Sequence, residues 1–518
     1  MSTRYALHRS VTLSVLSSVR SEAAHGEDVG CSIQGPVTAA LRRAQAPLCA
    51  EVRRLGSLAA LQQAEQLVRA LEETPRYRAL CEPEARRGGR RLLRPEVLFP
   101  TSARHPPRYL HLRSEGAGLN LPVTARAWPD VHAFLSALAA GLSAREAAKF
   151  PPALRELFHE LKRARLLVPH EGAVPTQGPG ALFAGHNMVR VDTGGARLLV
   201  DPWFRGMSRI DLPSYPPVQA QDVGPVDAVL ITHSHGDHFH LGSLLQLPRS
   251  TRILVPDTAR ESLFSTDIAA RLRQAGFQHV EPMAWWATAR VGDAEVSALP
   301  FHGEQPTDRE GIYPGLFNHG NAWLVRSPGF SCAFAADAGH DIREDMAHVF
   351  RKVGKAGPVD VLFTGIRGFR IPPLFFAFST LDPFLVNVPL DELSRPQRLM
   401  ADPREALRWG KLLHARAVVP CADGGAPWYW REGMGPRYPG YPGTPVEGAN
   451  MLEENPDADP FPERLEWERA RVSNAPEALL LRPGEGLTVR AGAIQRVVHP
   501  RFRWPFQAPP LPARAAAR

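Results

Sequence analysis

Short apolar runs alternate with segments of helical spacing from residue 181 onward. Each run spans four to six residues between polar, Gly or Pro positions, a pattern typical of buried strands. The predicted strands are 187–192, 196–201, 227–231, 252–255, 294–299, 321–325, 332–336, 359–363 and 415–419, and the first two form a hairpin around Gly194. Segments 257–274, 342–353 and 403–413 are predicted helices. This alternation predicts a mixed α/β layer architecture.

The first 175 residues have a different pattern. They are rich in Ala, Leu and Arg, with helical periodicity over 55–71 and 131–142 and two short helices predicted within 144–167 around Pro151 and Pro152. No cluster of candidate ligands occurs there, which predicts an accessory domain for packing, dimerisation or partner docking. Segment 171–180 is the predicted linker. We therefore expect an N-terminal domain over 1–175, a larger α/β domain over 181–500 and a flexible tail over 501–518.

Composition and charge narrow the class of protein. The chain has 518 residues, 44% of them hydrophobic, and a net charge of +8 carried by scattered arginines. No basic stripe is interleaved with aromatic residues, so nucleic-acid binding is not expected. The five cysteines form no C-x-x-C pair, which indicates a reducing cytoplasm. The longest apolar stretch, 371–390, is interrupted by four prolines and Asp382, so no membrane span is expected.

A dense group of potential metal ligands follows the predicted strand 227–231. Its sequence, Thr232 to His238, contains three histidines and one aspartate as H-x-H-x-D-H. On a strand-to-helix turn, alternate side chains can point toward two positions a few ångströms apart. His233 and His235 would bind one metal ion, and Asp237 and His238 would bind a second.

Two later strands end in further candidate ligands. His302 and Glu304 follow strand 294–299, and residues two apart on a strand face the same side, so either could be the ligand and the other its support. Asp337 ends the apolar strand 332–336, where a lone buried carboxylate would be costly without a cation. Asp201 and Asp423, each at the end of a predicted strand, are expected to support the ligands; Asp423 could instead be a turn residue before Gly424.

The H-x-H-x-D-H motif resembles the signature of the metallo-β-lactamase superfamily, which implies an αββα sandwich with metal at one edge of the sheets. Hydrolases of that superfamily carry a histidine after a late strand, whereas here strand 415–419 is followed by Pro420, Cys421, Ala422 and Asp423. A site richer in carboxylate suits redox-active iron. The stretches 232–247, 299–305, 334–337, 360–363, 397–399 and 425–428 resemble the diiron β-hydroxylase of chloramphenicol biosynthesis and its relatives. His302 departs from that family's pattern and keeps a hydrolase alternative open.

The resemblance implies an oxygenase with two iron ions and dioxygen as co-substrate. Its expected metal ligands are His233, His235, Asp237, His238, Glu304 and Asp337, with Glu304, Asp337 and His302 as the catalytic candidates. It also implies an amino-acid-like substrate, free or tethered to a peptidyl carrier protein, and an external electron donor. The N-terminal domain would then serve dimerisation or carrier docking. The alternative is a hydrolase with two zinc ions that acts on a phosphoester, thioester or lactone.

The apolar segment 371–390 has two interpretations. As a lid, it would use Phe375 and Phe376 to wall an apolar substrate group, and Arg367 or Arg370 to bind a carboxylate or the carrier's phosphopantetheine. Alternatively, it is a loop packed on the N-terminal domain or at a homodimer contact.

Overall fold

The N-terminal part of the molecule consists of helices and three small sheets. The computed structural model describes residues 3–16, 36–101, 106–114, 117–176, 178–204, 218–366, 368, 370–378, 381–422, 463–490 and 492–502. The strands of this part are β1 Arg4–Leu7, β2 Thr12–Leu16, β3 Cys81–Arg87, β4 Arg90–Leu93, β5 Tyr109–Ser114, β6 Ala117–Pro122, β7 Leu142–Ser143 and β8 Leu167–Pro169. Its helices are α1 Pro36–Leu55, α2 Ser57–Gln62, α3 Ala64–Glu72, α4 Pro75–Arg78, α5 Pro95–Leu98, α6 Trp128–Ala139, α7 Ala144–Ala147 and α8 Pro152–Arg163.

The rest of the described chain alternates strands and helices. Its strands are β9 Gly180–Gly185, β10 Met188–Asp192, β11 Arg197–Val200, β12 Ala228–Leu230, β13 Arg252–Pro256, β14 His279–Met283, β15 Thr288–Val291, β16 Ala294–Pro300, β17 Asn321–Arg326, β18 Ser331–Ala336, β19 Val361–Thr364, β20 Arg370–Ile371, β21 Gln397–Arg398, β22 Ala417–Pro420, β23 Glu477–Ala478, β24 Glu485–Arg490 and β25 Ala493–Val498. Its helices are α9 Ala220–Val223, α10 Leu241–Leu244, α11 Ile268–Gln274, α12 Met346–Lys355, α13 Pro403–Leu412 and α14 Glu463–Arg469. Four 3-10 turns cover Pro373–Phe378, Asp382–Asn387, Leu390–Glu392 and Pro500–Phe502.

Two large sheets pack face to face. One has eight strands in the order β14-β13-β12-β11-β10-β9-β24-β25, and the other has seven in the order β15-β16-β17-β18-β19-β22-β23. Apolar side chains of both sheets, such as Val191 and Phe334, fill the space between them. Helices α12 to α14 pack on the outer face of the second sheet, and α10, α11 and N-terminal residues pack on the outer face of the first. The α/β sandwich predicted from the sequence is therefore confirmed.

The sheet topology brings several strand ends to one edge. Strands β11 and β12 run parallel, with Val200 opposite Leu230, so Asp201 lies beside the start of the loop that follows β12. An isolated bridge between His233 and Gly320 connects this loop to the start of β17 in the other sheet. The turn between β9 and β10 and the ends of β16 and β18 lie at the same edge, where the candidate ligands meet.

One predicted helix is largely wrong. The segment 257–274 contains only α11, which begins after Asp267, whose side chain accepts a hydrogen bond from the Ala270 amide at 2.9 Å. Residues before it form a tight turn in which the Ser262 amide donates to the Ser265 carbonyl. Ser and Asp side chains compete for backbone hydrogen bonds and favour turns and caps over helix interiors.

The segment after β19 packs against the N-terminal helices. Phe375, Phe376 and Phe384 belong to a buried cluster with residues of α1 and α3. The Arg90 side chain forms a buried ion pair with Glu72 and donates to the carbonyls of Leu385, at 3.1 Å, and Val388, at 2.6 Å. These contacts hold the segment between the N-terminal helices and the ligand edge.

No helix in the described ranges is long and apolar enough to cross a bilayer. Residues 423–462 lie outside the described residues, and so does the predicted tail beyond residue 502.

Candidate metal centre

The H-x-H-x-D-H residues form a turn that leads from β12 into α10. The amides of His238 and Phe239 both donate to the His235 carbonyl, at 3.0 and 2.7 Å, which folds the loop back on itself. His233 and His238 are fully buried, whereas His235 and Asp237 are half-buried. The turn therefore directs its side chains toward two neighbouring positions, as the spacing of the motif predicts.

The first ligand group combines His233 and His235 with Glu304. Glu304 Oε2 lies 3.1 Å from His233 Nε2, and Glu304 Oε1 lies 2.9 Å from His235 Nδ1. The Asn318 side-chain amide donates to Glu304 Oε2 at 3.0 Å and fixes the carboxylate. Burial opposes ionisation, but His235 and His233 outweigh it and hold the pKa of Glu304 well below its usual range.

The second group combines Asp237 and His238 with His186, which the sequence analysis missed. His186 Nε2 lies 3.3 Å from Asp237 Oδ2 and 3.3 Å from His238 Nε2. His186 occupies the turn between β9 and β10 at a φ of 53° and is 1% exposed. Its one signal in the sequence is a polar pair, His186-Asn187, inside an apolar hairpin.

His186 lies near the place where hydrolases of the superfamily carry a histidine after a late strand, which this sequence lacks. The Ala422 amide, just after β22, donates to the His186 carbonyl at 3.0 Å. Cys421 Sγ lies 3.0 Å from the Asn187 side-chain oxygen. An imidazole from a different part of the chain therefore stands beside the end of β22.

Asp337 lies next to histidines of both groups. Its carboxylate forms a compact set of candidate ligand atoms with His233 and His238, all within 4.8 Å of one another, and Oδ2 lies 3.3 Å from His238 Nε2. Its Oδ1 is buried without a hydrogen-bond partner in the described part of the chain. Burial raises the pKa of Asp337, as expected for a carboxylate that lacks enough compensating charge. An unsatisfied buried carboxylate among imidazoles fits a bound cation.

Asp201 orients His238 by contacting the ring nitrogen Nδ1, which is not the one that faces the centre. Its Oδ2 lies 2.7 Å from His238 Nδ1 and accepts hydrogen bonds from the Thr232 hydroxyl at 2.6 Å and the Asn187 side-chain amide at 2.5 Å. Its Oδ1 accepts from the Thr232 amide at 2.7 Å. Because an ionised carboxylate only accepts, His238 carries its hydrogen on Nδ1 and presents Nε2 to the centre.

His302 and Glu304 diverge. His302 Nδ1 lies 3.3 Å from Asp341 Oδ1, and His302 belongs to none of the candidate ligand groups among the described residues. Strand β16 ends at Pro300, Gly303 has a φ of 106° and Glu304 a φ of 48°. The assumption that residues two apart face the same side fails here because the backbone is no longer extended.

Of the remaining predicted site residues, some pack away from the ligand groups and others lie outside the described residues. Phe375 and Phe376 are 2% and 0% exposed and pack among the N-terminal helices. The ring of this segment that approaches the first ligand group is instead Phe384, whose centre lies 5.7 Å from that of His235 and 6.2 Å from that of Phe376. Arg367, Asp423 and the side chain of Arg370 lie outside the described residues.

Comparison with known proteins agrees with this architecture. Residues 196–421 match the model of a beta-lactamase superfamily domain. A curated relative, the 4-amino-L-phenylalanyl-(CmlP-peptidyl-carrier-protein) 3-hydroxylase of Streptomyces venezuelae, is 33% identical over 196 residues, which span 36% of this chain and 33% of that protein. A UPF0173 metal-dependent hydrolase of Shouchella clausii is 26% identical over 188 residues, 36% of this chain and 72% of that protein.

Solved structures extend the likeness in fold to the N-terminal part. The structure of CmlA, a diiron beta-hydroxylase from Streptomyces venezuelae, aligns with a TM-score of 0.56 and 20% identity over 94% of this chain and all of that one. A mutant of the same hydroxylase aligns with a TM-score of 0.51 and 19% identity over 81% of this chain and 92% of that one.

The paired clusters of histidine and carboxylate at the edge of the sandwich form a candidate dinuclear metal site. Residues 196–421 are similar to domains of the beta-lactamase superfamily. Over 36% of its length the chain is similar both to a 3-hydroxylase of a carrier-bound amino acid and to a metal-dependent hydrolase.

Proposed function

We propose that the protein is a dinuclear iron oxygenase that hydroxylates an amino-acid-like substrate held on a carrier protein. The observation that carries this proposal is the position of Glu304, whose carboxylate lies against His233 and His235 while His302 faces Asp341. A centre with three carboxylates beside its imidazoles suits redox-active iron better than zinc, for which a histidine-rich site is expected. The partial likeness to a 3-hydroxylase of a carrier-bound amino acid supports the same interpretation.

The ligand groups suggest how the chain would hold two ions. His233, His235 and Glu304 would bind one, and His186, Asp237 and His238 would bind the other. Asp337, which adjoins histidines of both groups, would serve both ions. When bound, two iron ions supply the electron-transfer chemistry that activates dioxygen.

The surrounding residues set the state of the ligands. Asp201 holds the proton on His238 Nδ1, which leaves Nε2 as the donor atom toward the centre. The Asn318 amide holds one oxygen of Glu304. Phe384 covers His235 and helps to exclude water from that side of the centre.

The overall reaction replaces one substrate C–H bond by a C–O–H group. One atom of dioxygen enters the product and the other leaves as water, and an external donor supplies two electrons with two protons. Phe384 would wall an apolar part of the substrate, with Phe375 and Phe376 packed behind it. Arg367 and Arg370 remain candidates for contact with a carboxylate or a phosphopantetheine phosphate.

Metal analysis of matched variants tests the proposal. We expect two irons per wild-type chain, loss of iron and of turnover in Glu304→Ala, and retention of both irons in His302→Ala. Loss of an inner ligand removes both a bond and a compensating charge, so the occupancy falls sharply. The readouts are elemental analysis of anaerobically purified protein and oxygen uptake with a reductant.

A zinc hydrolase is the second candidate, favoured by the likeness to a metal-dependent hydrolase over 72% of that relative. Two zincs, no iron and an activity restored by zinc alone would establish it. Metal loss confined to the His302 variant would likewise support the hydrolase scheme.

A further inference from the structure

Three of the five large hydrophobic side chains that are exposed in the described part of the chain belong to two segments that meet through Arg343. They are Trp285, Trp286 and Ile342, with exposures of 37%, 41% and 51%, and Ile342 immediately precedes Arg343 in the sequence. Arg343 lies 5.6 Å from the ring centre of Trp285, and Lys352 Nζ lies 3.7 Å from that of Trp286. We call these five residues the tryptophan face. Adjoining exposed indoles on a soluble domain mark an interaction surface.

The backbone at Trp286 supports this assignment. Its φ of 69° lies in the left-handed region, which favours glycine and is strained for a bulky residue. Its amide donates to the Ala298 carbonyl, so the strained turn is held by the end of β16. A large indole therefore occupies a position where glycine would be easier to accommodate, although its ring contributes little to the core.

The charge of the adjoining helix indicates the kind of partner. The exposed side of α12 carries Arg351, Lys352 and Lys355. None of the three forms an ion pair with a carboxylate within the residues that the structure describes. Cations beside exposed aromatic rings fit a partner whose docking surface is acidic.

The tryptophan face adjoins the metal centre. The ring of Trp285 lies 5.4 Å from that of His302, and its Nε1 donates to the carbonyl of Gly320, the bridge partner of His233. A cavity of about 190 Å³ begins beside Ile342 and is lined by Gln305, the neighbour of Glu304. A flexible arm from a partner on this face that enters this cavity would reach the residue next to Glu304 in the chain.

We infer that the tryptophan face is the docking site for the acidic surface of the carrier protein, whose tethered substrate enters through this cavity. The inference rests on the proposed function, because it takes the substrate to be carrier-bound. It locates the recognition on the sandwich, whereas the sequence analysis gave carrier docking as one of the alternative roles of residues 1–175.

Binding to a panel of negatively charged, phosphopantetheine-loaded peptidyl carrier proteins tests the inference. The test variants are Trp286→Ala and the triple charge reversal Arg351→Glu, Lys352→Glu, Lys355→Glu. The control reverses three exposed cations of the N-terminal domain, Arg145, Lys149 and Arg155, to Glu. We expect saturable binding by the wild type, a Kd raised about tenfold or more in both test variants, and a control within about twofold of the wild type.

Circular dichroism and metal content, unchanged in all variants, would exclude misfolding as the cause. Because binding is measured without turnover, an absence of iron would refute the oxygenase and leave the docking result intact. The inference is overturned if the wild type binds no carrier, if only the N-terminal control weakens binding, or if Trp286→Ala instead dissociates a homodimer in sedimentation experiments.

Discussion

Replacing Asp201 by Asn should weaken the protein and one half of the metal centre. The Asp201 carboxylate is fully buried and accepts four hydrogen bonds, three on Oδ2 and one on Oδ1. An amide has the same shape but only one accepting oxygen. In one orientation its NH₂ faces the Thr232 amide, and in the other it faces the donors of Asn187 and His238, so buried donors must oppose each other.

The energetic cost follows from the hydrogen bonds that the amide cannot accept. At about 1.5–3 kcal/mol for each hydrogen bond to a charged group, the removal of one to two such bonds corresponds to about 2–6 kcal/mol of stability. His238 is also deprived of the partner that orients its ring, and such changes lower metal affinity by about 10–100-fold. The group of His186, Asp237 and His238 should therefore empty before the group of His233, His235 and Glu304.

Thermal unfolding and metal titration measure both effects. The matched control is Asp227→Asn, which changes an exposed carboxylate that accepts one hydrogen bond, from the Arg197 amide, at the opposite end of β11 and β12. We expect the control to match the wild type in unfolding temperature and in metal content. An Asp201→Asn variant with the same unfolding temperature and both ions tightly bound would refute the orienting role of this carboxylate.

Three further predictions concern positions around the centre and the domain contact. Gly303→Ala should abolish metal binding, because the new Cβ would lie 2.3 Å from the Gly339 amide nitrogen and the backbone φ is 106°. The measurement is the metal content per folded chain, and the control is Gly315→Ala, whose new Cβ would meet nothing within 4 Å. Burial lowers the pKa of His132 from 6.5 to about 4, so between these pH values the unfolded chain binds a proton that the folded chain does not. About 3 kcal/mol of folding stability is therefore lost as the pH falls from 6.5 to 4. The free energy of unfolding, plotted against pH, should have different slopes for the wild type and His132→Gln, and equal slopes would contradict this expectation. Phe384→Leu should keep the iron but raise the KM or uncouple oxygen use from product, and unchanged kinetics would exclude Phe384 as a substrate wall.

Much of the fold was predictable because its signals are local. Nine strands of the sandwich, β10 to β13, β16 to β19 and β22, correspond closely to the predicted apolar runs bounded by turn residues, since a strand buried between two layers needs apolar residues throughout. Strands β9, β14, β15 and β23 were missed. Strands β24 and β25 were not predicted: they extend the first sheet by pairing beside β9, a partner about 300 residues earlier. For segment 371–390 the sequence left two interpretations open, a lid or a loop packed on the N-terminal domain or at a dimer contact. Its packing against α1 and α3 is a contact that only folding supplies.

In the candidate metal centre, too, some residues are grouped by the sequence alone and others only by the tertiary structure. The sequence by itself determined that His233, His235, Asp237 and His238 lie close together, because six residues on one turn cannot separate far. Only the tertiary structure decided that His186 joins them, since His186 lies 47 positions before His233 and only the sheet brings the β9–β10 turn to this edge. Folding also brings Glu304, and not His302, against His233 and His235: the backbone at Gly303 and Glu304 is left-handed and lies close to Gly339, a neighbour that only folding supplies.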